Sequence, residues 1–177
     1  MSNPDSYYSR AEVSNSDLTE LKNYLYPRAQ YGDKEKAFKF GTLVDALITE
    51  NDRVRYDKLM VDDYVYTQEE FELGLEMRRA LRKEAEKDQF LAVVLAQSDT
   101  QRFMVNKQQE FYYGNFAYHL DTRCKWDWWL PSFNFGGDLK TTFAESQAQF
   151  DEAIDFFDWD RSRAWYMDIC LLYTSPS

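Results

Sequence analysis

Two short stretches, Arg123-Cys-Lys-Trp-Asp127 and Gly137-Asp-Leu-Lys-Thr-Thr142, flank the turn-forming Leu130-Pro-Ser-Phe-Asn134, and their pairing decides how the chain is read. Side chains alternate along a strand, so Arg123, Lys125 and Asp127 share one face while Cys124, Trp126 and Trp128 share the other. By the same rule Asp138 and Lys140 project together, with Leu139 turned to the core. A hairpin centred between Ser132 and Phe133 sets Asp127 directly across from Asp138. Two opposed carboxylates repel unless something positive lies between them, and a divalent cation supplies that charge. Mg²⁺ takes hard oxygen ligands and keeps waters, so two aspartates, a backbone carbonyl and a substrate phosphate suit it. Lys140, beside them, is placed to orient the attacking water and to stabilise charge growing on the phosphate. The set describes metal-assisted phosphodiester hydrolysis, with Mg²⁺ as the expected cofactor and Mn²⁺ as its substitute.

Working outward, the strand character extends upstream. Arg102-Phe-Met-Val105, Glu110-Phe-Tyr-Tyr113 and the run from Phe116 to Trp129 are rich in aromatic and β-branched residues. Phe135 to Lys140 reads as a short strand. The first half of the chain is helical in pattern. Ser14-Asn-Ser-Asp17 offers N-caps for a helix through Leu18, Leu21 and Leu25 that stops at Pro27. A second helix spans about Lys34 to Glu50, with Phe40, Leu43, Val44, Leu47 and Ile48 at helical spacing. Thr67-Gln-Glu-Glu70 is a capping box that opens a long helix ending near Asp88. Thr142-Phe-Ala-Glu145 reads as another, starting a helix through Phe150, Ala153, Ile154 and Phe157, and a last helix begins near Asp160.

The 177 residues carry a formal net charge of -10, and 18% of them are aromatic. At this length a chain buries roughly two-thirds of its unfolded surface, which suffices for a core without disulfides. The two cysteines, Cys124 and Cys170, are too few for a disulfide scaffold, and no Cys-x-x-Cys zinc pattern occurs. An acidic balance argues against a protein that coats nucleic acid through a broad basic patch. It leaves open an enzyme that meets DNA through metal ions. All five tryptophans lie at or beyond Trp126, so the heaviest packing is expected in the C-terminal third. The N-terminus is polar and acidic where a secretory signal needs a basic end and an apolar run, and the longest apolar stretch, Phe90 to Ala96, is far short of a membrane span. A cytoplasmic protein without membrane association is expected.

These motifs, taken in order, resemble a known family. Phe40-Gly-Thr-Leu-Val-Asp-Ala-Leu47, Arg123-Cys-Lys-Trp-Asp127, Asp138-Leu-Lys-Thr-Thr142 and Asp160-Arg-Ser-Arg-Ala-Trp-Tyr-Met-Asp168 look like the exodeoxyribonuclease VIII (RecE-type) catalytic domain of phage and prophage recombination modules. That domain belongs to the PD-(D/E)xK nuclease superfamily, and the likeness covers about Ser14 to Ile169. It implies an α/β fold with a restriction-endonuclease-like core: a mixed β-sheet flanked by helices, with a helical N-terminal portion. It also implies Mg²⁺-dependent digestion of double-stranded DNA from its ends. The single strand left behind would pass to an annealing partner, and relatives form rings around DNA, so a homo-oligomer is implied too. The metal-binding aspartates of the family fall on Asp127 and Asp138, and its lysine on Lys140. Glu110 lies where related nucleases place an additional acid. Asp45 stands where many relatives have His, and Ser162 where the last helix often has Gln. DNA contacts are expected from Arg123, Lys125, Arg161, Arg163 and Tyr166. The alternatives are a nuclease of the same superfamily with another nucleic-acid substrate, RecB-like, or a catalytically inactive DNA-binding phage protein.

Several residues have plainer readings. Asp45, without the resemblance, is a solvated acid on a helix edge. His119, the only histidine, reads as a structural polar residue. Trp126 and Trp128 read as core, and Trp129 either stacks on a base or caps the turn. The ending Cys170-Leu-Leu-Tyr-Thr-Ser-Pro-Ser177 resembles translated adapter sequence. One domain is therefore expected over residues 1–169, incomplete at its C-terminal side, with 170–177 foreign to it.

Overall fold

The computed structural model describes residues 10–27 and 33–174, the last four as backbone, so part of the N-terminal segment and residues 175–177 of the expected foreign tail lie outside it. The chain is mixed α/β. In order it forms α1 (Asn15–Leu25), α2 (Lys34–Thr49), β1 (Val54–Arg55), β2 (Met60–Val61), β3 (Tyr64–Val65), α3 (Gln68–Ala85), α4 (Gln89–Gln97), β4 (Asp99–Tyr113), β5 (Phe116–Leu130), β6 (Phe135–Gly137), α5 (Gln147–Phe156) and α6 (Trp159–Thr174). Two three-stranded sheets are present, β1-β2-β3 and β4-β5-β6. The pairings β1–β2, β2–β3 and β5–β6 are antiparallel, and a single parallel bridge joins Val13 to Thr122.

Local chemistry explains the helix starts. Ser14 caps α1 and Thr67 caps α3, each with a reciprocal box closed by Asp17 and Glu70, so orphan amides at both ends are satisfied. Asp33 and Asp88 cap α2 and α4 through side-chain oxygens. The long helical pattern expected to end near Asp88 divides there: α3 ends at Ala85 and α4 restarts on the Asp88 cap. The Thr142 capping box does not form. Residues 138–144 are irregular and α5 begins only at Gln147, directly after Ser146, itself a favoured cap type.

The chain divides into two compact units, Met1–Ala29, Phe103–Lys125 and Gln147–Ser177 in one, Gln30–Arg102 and Trp126–Ser146 in the other. In the first, Met104, Cys124, Trp165, Ile169 and Cys170 are buried, and the Phe111 ring stacks on Trp165 with centroids 5.6 Å apart. Cys170 Sγ lies 3.4 Å from Met104 Sδ. The hydrogen bond with the neighbouring Cys170, and then burial, push the Cys124 thiol far above its ordinary value, so it stays protonated and inert. Arg161 ties α6 to α1 by bonds to Asn15 Oδ1 (3.1 Å) and Thr19 Oγ1 (2.6 Å).

The second unit has two apolar clusters. Leu43, Ala46, Leu47, Val54, Val61, Tyr66 and Phe71 join α2, α3 and the small sheet. Val94, Trp128 and Leu130, with Ile48, Leu81, Phe135 and Leu139 packed on them, join α4 to the β5–β6 hairpin. Fully burying each such side chain contributes roughly 1.5–3 kcal/mol. Gly136 is required here, because a Cβ at that position would stand 2.6 Å from atoms of the Trp126 ring. Gly74 meets Leu47 in the same way on α3, at 2.9 Å.

Candidate metal-binding and hydrolytic site

The β5–β6 ladder pairs Trp128 with Gly137, Trp129 with Gly136 and Leu130 with Phe135, the register that the hairpin centred at Ser132 and Phe133 requires. Asp127 and Asp138 are the next residues out on each arm. The strand expected over Phe135–Lys140 stops at Gly137, and the freed backbone is put to use: Leu139 N donates to Asp127 Oδ2 at 2.6 Å. The carboxylate is thereby oriented by the very segment that carries Asp138 and Lys140.

Asp45 arrives from α2. Its carboxylate is held by Thr49 one turn on, whose hydroxyl donates to Asp45 Oδ1 at 2.8 Å. Gln101, near the start of β4, closes the group. Its Nε2 lies 2.9 Å from Thr49 Oγ1, 3.2 and 3.3 Å from the two Asp45 oxygens, and 3.4 Å from Asp127 Oδ1. Gln101 has φ 54°, a left-handed conformation that a non-glycine residue rarely adopts. One amide nitrogen is thus shared by two carboxylates from different elements.

The electrostatics follow from burial and crowding. Burial, then the charges of Asp138 and Asp45, push the Asp127 carboxyl up to about 7, while the Leu139 amide and Lys140 act in the opposite sense. Lys140 Nζ forms an ion pair with the Asp138 carboxylate. The Asp138 side chain is 7% exposed and that of Lys140 34%, so the lysine reaches from the surface into a buried acid. Like charges, partial desolvation and one compensating cation are the features that mark tuned functional groups.

Among the described residues, no group of three or more His, Cys, Asp or Glu side chains is drawn close enough to cage a metal ion. The unit that fits a hard cation is smaller: the Asp45 and Asp127 carboxylates already converge on a positively polarised Nε2, and Asp138 acts on Asp127 through its charge. All the donors are oxygens of the kind Mg²⁺ prefers, and few protein ligands are needed for it. Asp127 and Asp45 are the residues that would hold the ion, with the Asp138 charge beside them.

The remaining expected site residues are placed otherwise. Glu110 belongs to the other unit and is exposed; its neighbours are Tyr112 and, at 3.9 Å, His119. His119 is itself on the surface. Arg123, expected to share a face with Lys125 and Asp127 and to contact DNA, is 3% exposed. Its guanidinium donates to the carbonyls of Arg10 and Glu12 and lies 3.3 Å from Asp17, so it pins the segment preceding α1. Its strand is covered on both sides, which is why simple alternation failed there. Trp129 is 6% exposed and sits 6.2 Å from Trp126, which removes it from base stacking. Arg161 is engaged between α1 and α6, Arg163 lies over the Tyr166 ring at 4.6 Å, and Lys125 and Tyr166 are half-buried. Sequence reasoning missed Gln101 and Thr49. Thr49 is one helical turn from Asp45, a spacing that was legible; Gln101 depends on a backbone kink with no sequence signature. No family model, no curated protein and no solved structure matches this chain.

Proposed function

We propose that the chain is a Mg²⁺-dependent exodeoxyribonuclease that hydrolyses phosphodiester bonds of double-stranded DNA from its ends, in phage-type homologous recombination. The observation that carries this reading is the convergence of Asp45, Asp127, Asp138 and Lys140 within one unit, with the Asp127 carboxyl pushed up by burial and by the charges of Asp138 and Asp45 and drawn down by Lys140. The likeness of their motifs to the RecE-type branch of the PD-(D/E)xK nucleases points the same way, and with it goes a restriction-endonuclease-like core. Mg²⁺, if bound there, would supply charge neutralisation for the scissile phosphate and would lower the pKa of a water. Asp127, aimed by the Leu139 amide, and Asp138 bind and orient. Asp45 serves as a further oxygen donor. Lys140, paired with Asp138, would orient the attacking water and stabilise charge growing on the phosphate oxygens through hydrogen bonds from its Nζ. DNA ends, a strand-annealing partner and a homo-oligomeric assembly belong to the same proposal.

The metal half of the reading has a direct check. In calorimetric melting without DNA, millimolar Mg²⁺ or Mn²⁺ raises the melting temperature of the wild type, because a ligand at about 100 times its Kd stabilises by about 2.7 kcal/mol. Asp127→Asn removes most of that rise. An equal rise in both proteins, or none in the wild type, contradicts the assignment.

A further inference from the structure

Gln101 is the least explained member of the acid group. Four acceptor atoms surround its Nε2, which has two hydrogens, so the carboxamide is over-supplied with acceptors on one side. Its Oε1, by contrast, is buried and has no hydrogen-bond partner among the described residues. Leaving a buried carbonyl oxygen unsatisfied costs its lost hydration without return. The strained φ of 54° adds to that cost. Such a residue is poorly explained as a structural bridge alone.

The terminal torsion of glutamine is soft and roughly two-fold, so a half-turn exchanges Nε2 and Oε1 with little movement of other atoms. We propose that Gln101 is an amide-oxygen ligand for the divalent cation held by Asp45 and Asp127, with its carboxamide reversing when the ion binds. This rests on the metal-dependent reading above. In the metal-free protein the amide hydrogens stand in for the cation, neutralising part of the repulsion between the two carboxylates. In the metal-bound protein the same side chain presents a hard carbonyl oxygen, a ligand type that Mg²⁺ and Ca²⁺ sites accept. The orphaned oxygen and the crowded nitrogen are then two halves of one exchange, and Thr49, donating to Asp45, keeps that carboxylate in place during it.

Isothermal titration with Mg²⁺ alone, without DNA, tests this on the whole chain. Gln101→Met keeps length and removes the amide, substituting an apolar group that needs no partner and binds Mg²⁺ poorly. It is expected to weaken Mg²⁺ binding at least tenfold while the metal-free protein still unfolds in one cooperative transition. Gln101→Glu restores an oxygen ligand and adds charge, so it is expected to bind Mg²⁺ at least as tightly as the wild type. Equal or tighter binding by Gln101→Met overturns the proposal and makes Gln101 a competitor of the ion. Weak binding by Gln101→Glu also overturns it, since the oxygen would then not be what matters. A wild type that binds no Mg²⁺ ends the metal-dependent reading itself, and Gln101's role with it, an outcome separate from either variant result.

Discussion

Trp126→Ala lowers the free energy of unfolding by about 3–5 kcal/mol, the range for emptying a large, fully buried aromatic site. Trp126 is 1% exposed, and its ring lies flat against the backbone of Gly136, so close that a Cβ there would come within 2.6 Å. The β5–β6 ladder therefore has a tryptophan of β5 pressed on β6, and the segment that follows β6 carries Asp138 and Lys140. The reciprocal substitution makes the prediction sharper. Gly136→Ala is expected to cost about 1–3 kcal/mol in the wild type by overpacking. In a Trp126→Leu background the smaller side chain gives way, and the same alanine costs little. Urea melts of the four proteins give a coupling energy. Additive effects at the two positions would contradict the packing described.

Asp127→Asn stabilises the metal-free protein at pH 8 by about 4 kcal/mol and leaves it nearly unchanged at pH 4. The sign follows from where the proton resides. In the folded chain burial and the neighbouring Asp138 and Asp45 hold the Asp127 proton up to about pH 7, whereas the unfolded carboxyl releases it near pH 4. The folded state thus carries no penalty from this group below pH 4. The penalty grows between pH 4 and 7 and is complete above. Asparagine never ionises, yet its Oδ1 still accepts from the Leu139 amide. Chemical denaturation in EDTA at pH 4, 6 and 8 reads the difference, and a wild type whose gap to the variant is constant with pH would show that Asp127 is ionised throughout.

The hairpin and its register were legible because three independent signals agree: alternating aromatic residues, a Pro-containing turn, and two acids at symmetric distances from it. The capped helices α1, α2 and α3 were legible from Ser14, the Lys34 start and Thr67 for the same reason, local chemistry matching apolar period. What was missed depends on contacts between distant segments. The sheet of β1, β2 and β3 consists of two-residue strands, too short for any periodicity. Arg123 was expected to contact DNA because nothing local reveals that Val13 bridges its strand and that the Arg10 and Glu12 carbonyls take its guanidinium. Asp45 entered only through the family likeness, and the structure brings it to Asp127 across 82 positions' worth of chain folded by the α2 and hairpin packing, with Gln101 between them.

The most direct measurement is digestion of end-labelled linear double-stranded DNA, beside a closed circle of the same sequence, with and without Mg²⁺. Metal-dependent release of nucleotides from the linear form is expected, with no attack on the circle and a loss of activity by about 10² or more in both Asp138→Ala and Lys140→Ala, as removal of charge-stabilising groups gives in other hydrolases. Release of nucleotides that persists in both variants, or in EDTA, would contradict the proposed function. So would a folded, Mg²⁺-binding protein that leaves linear DNA intact.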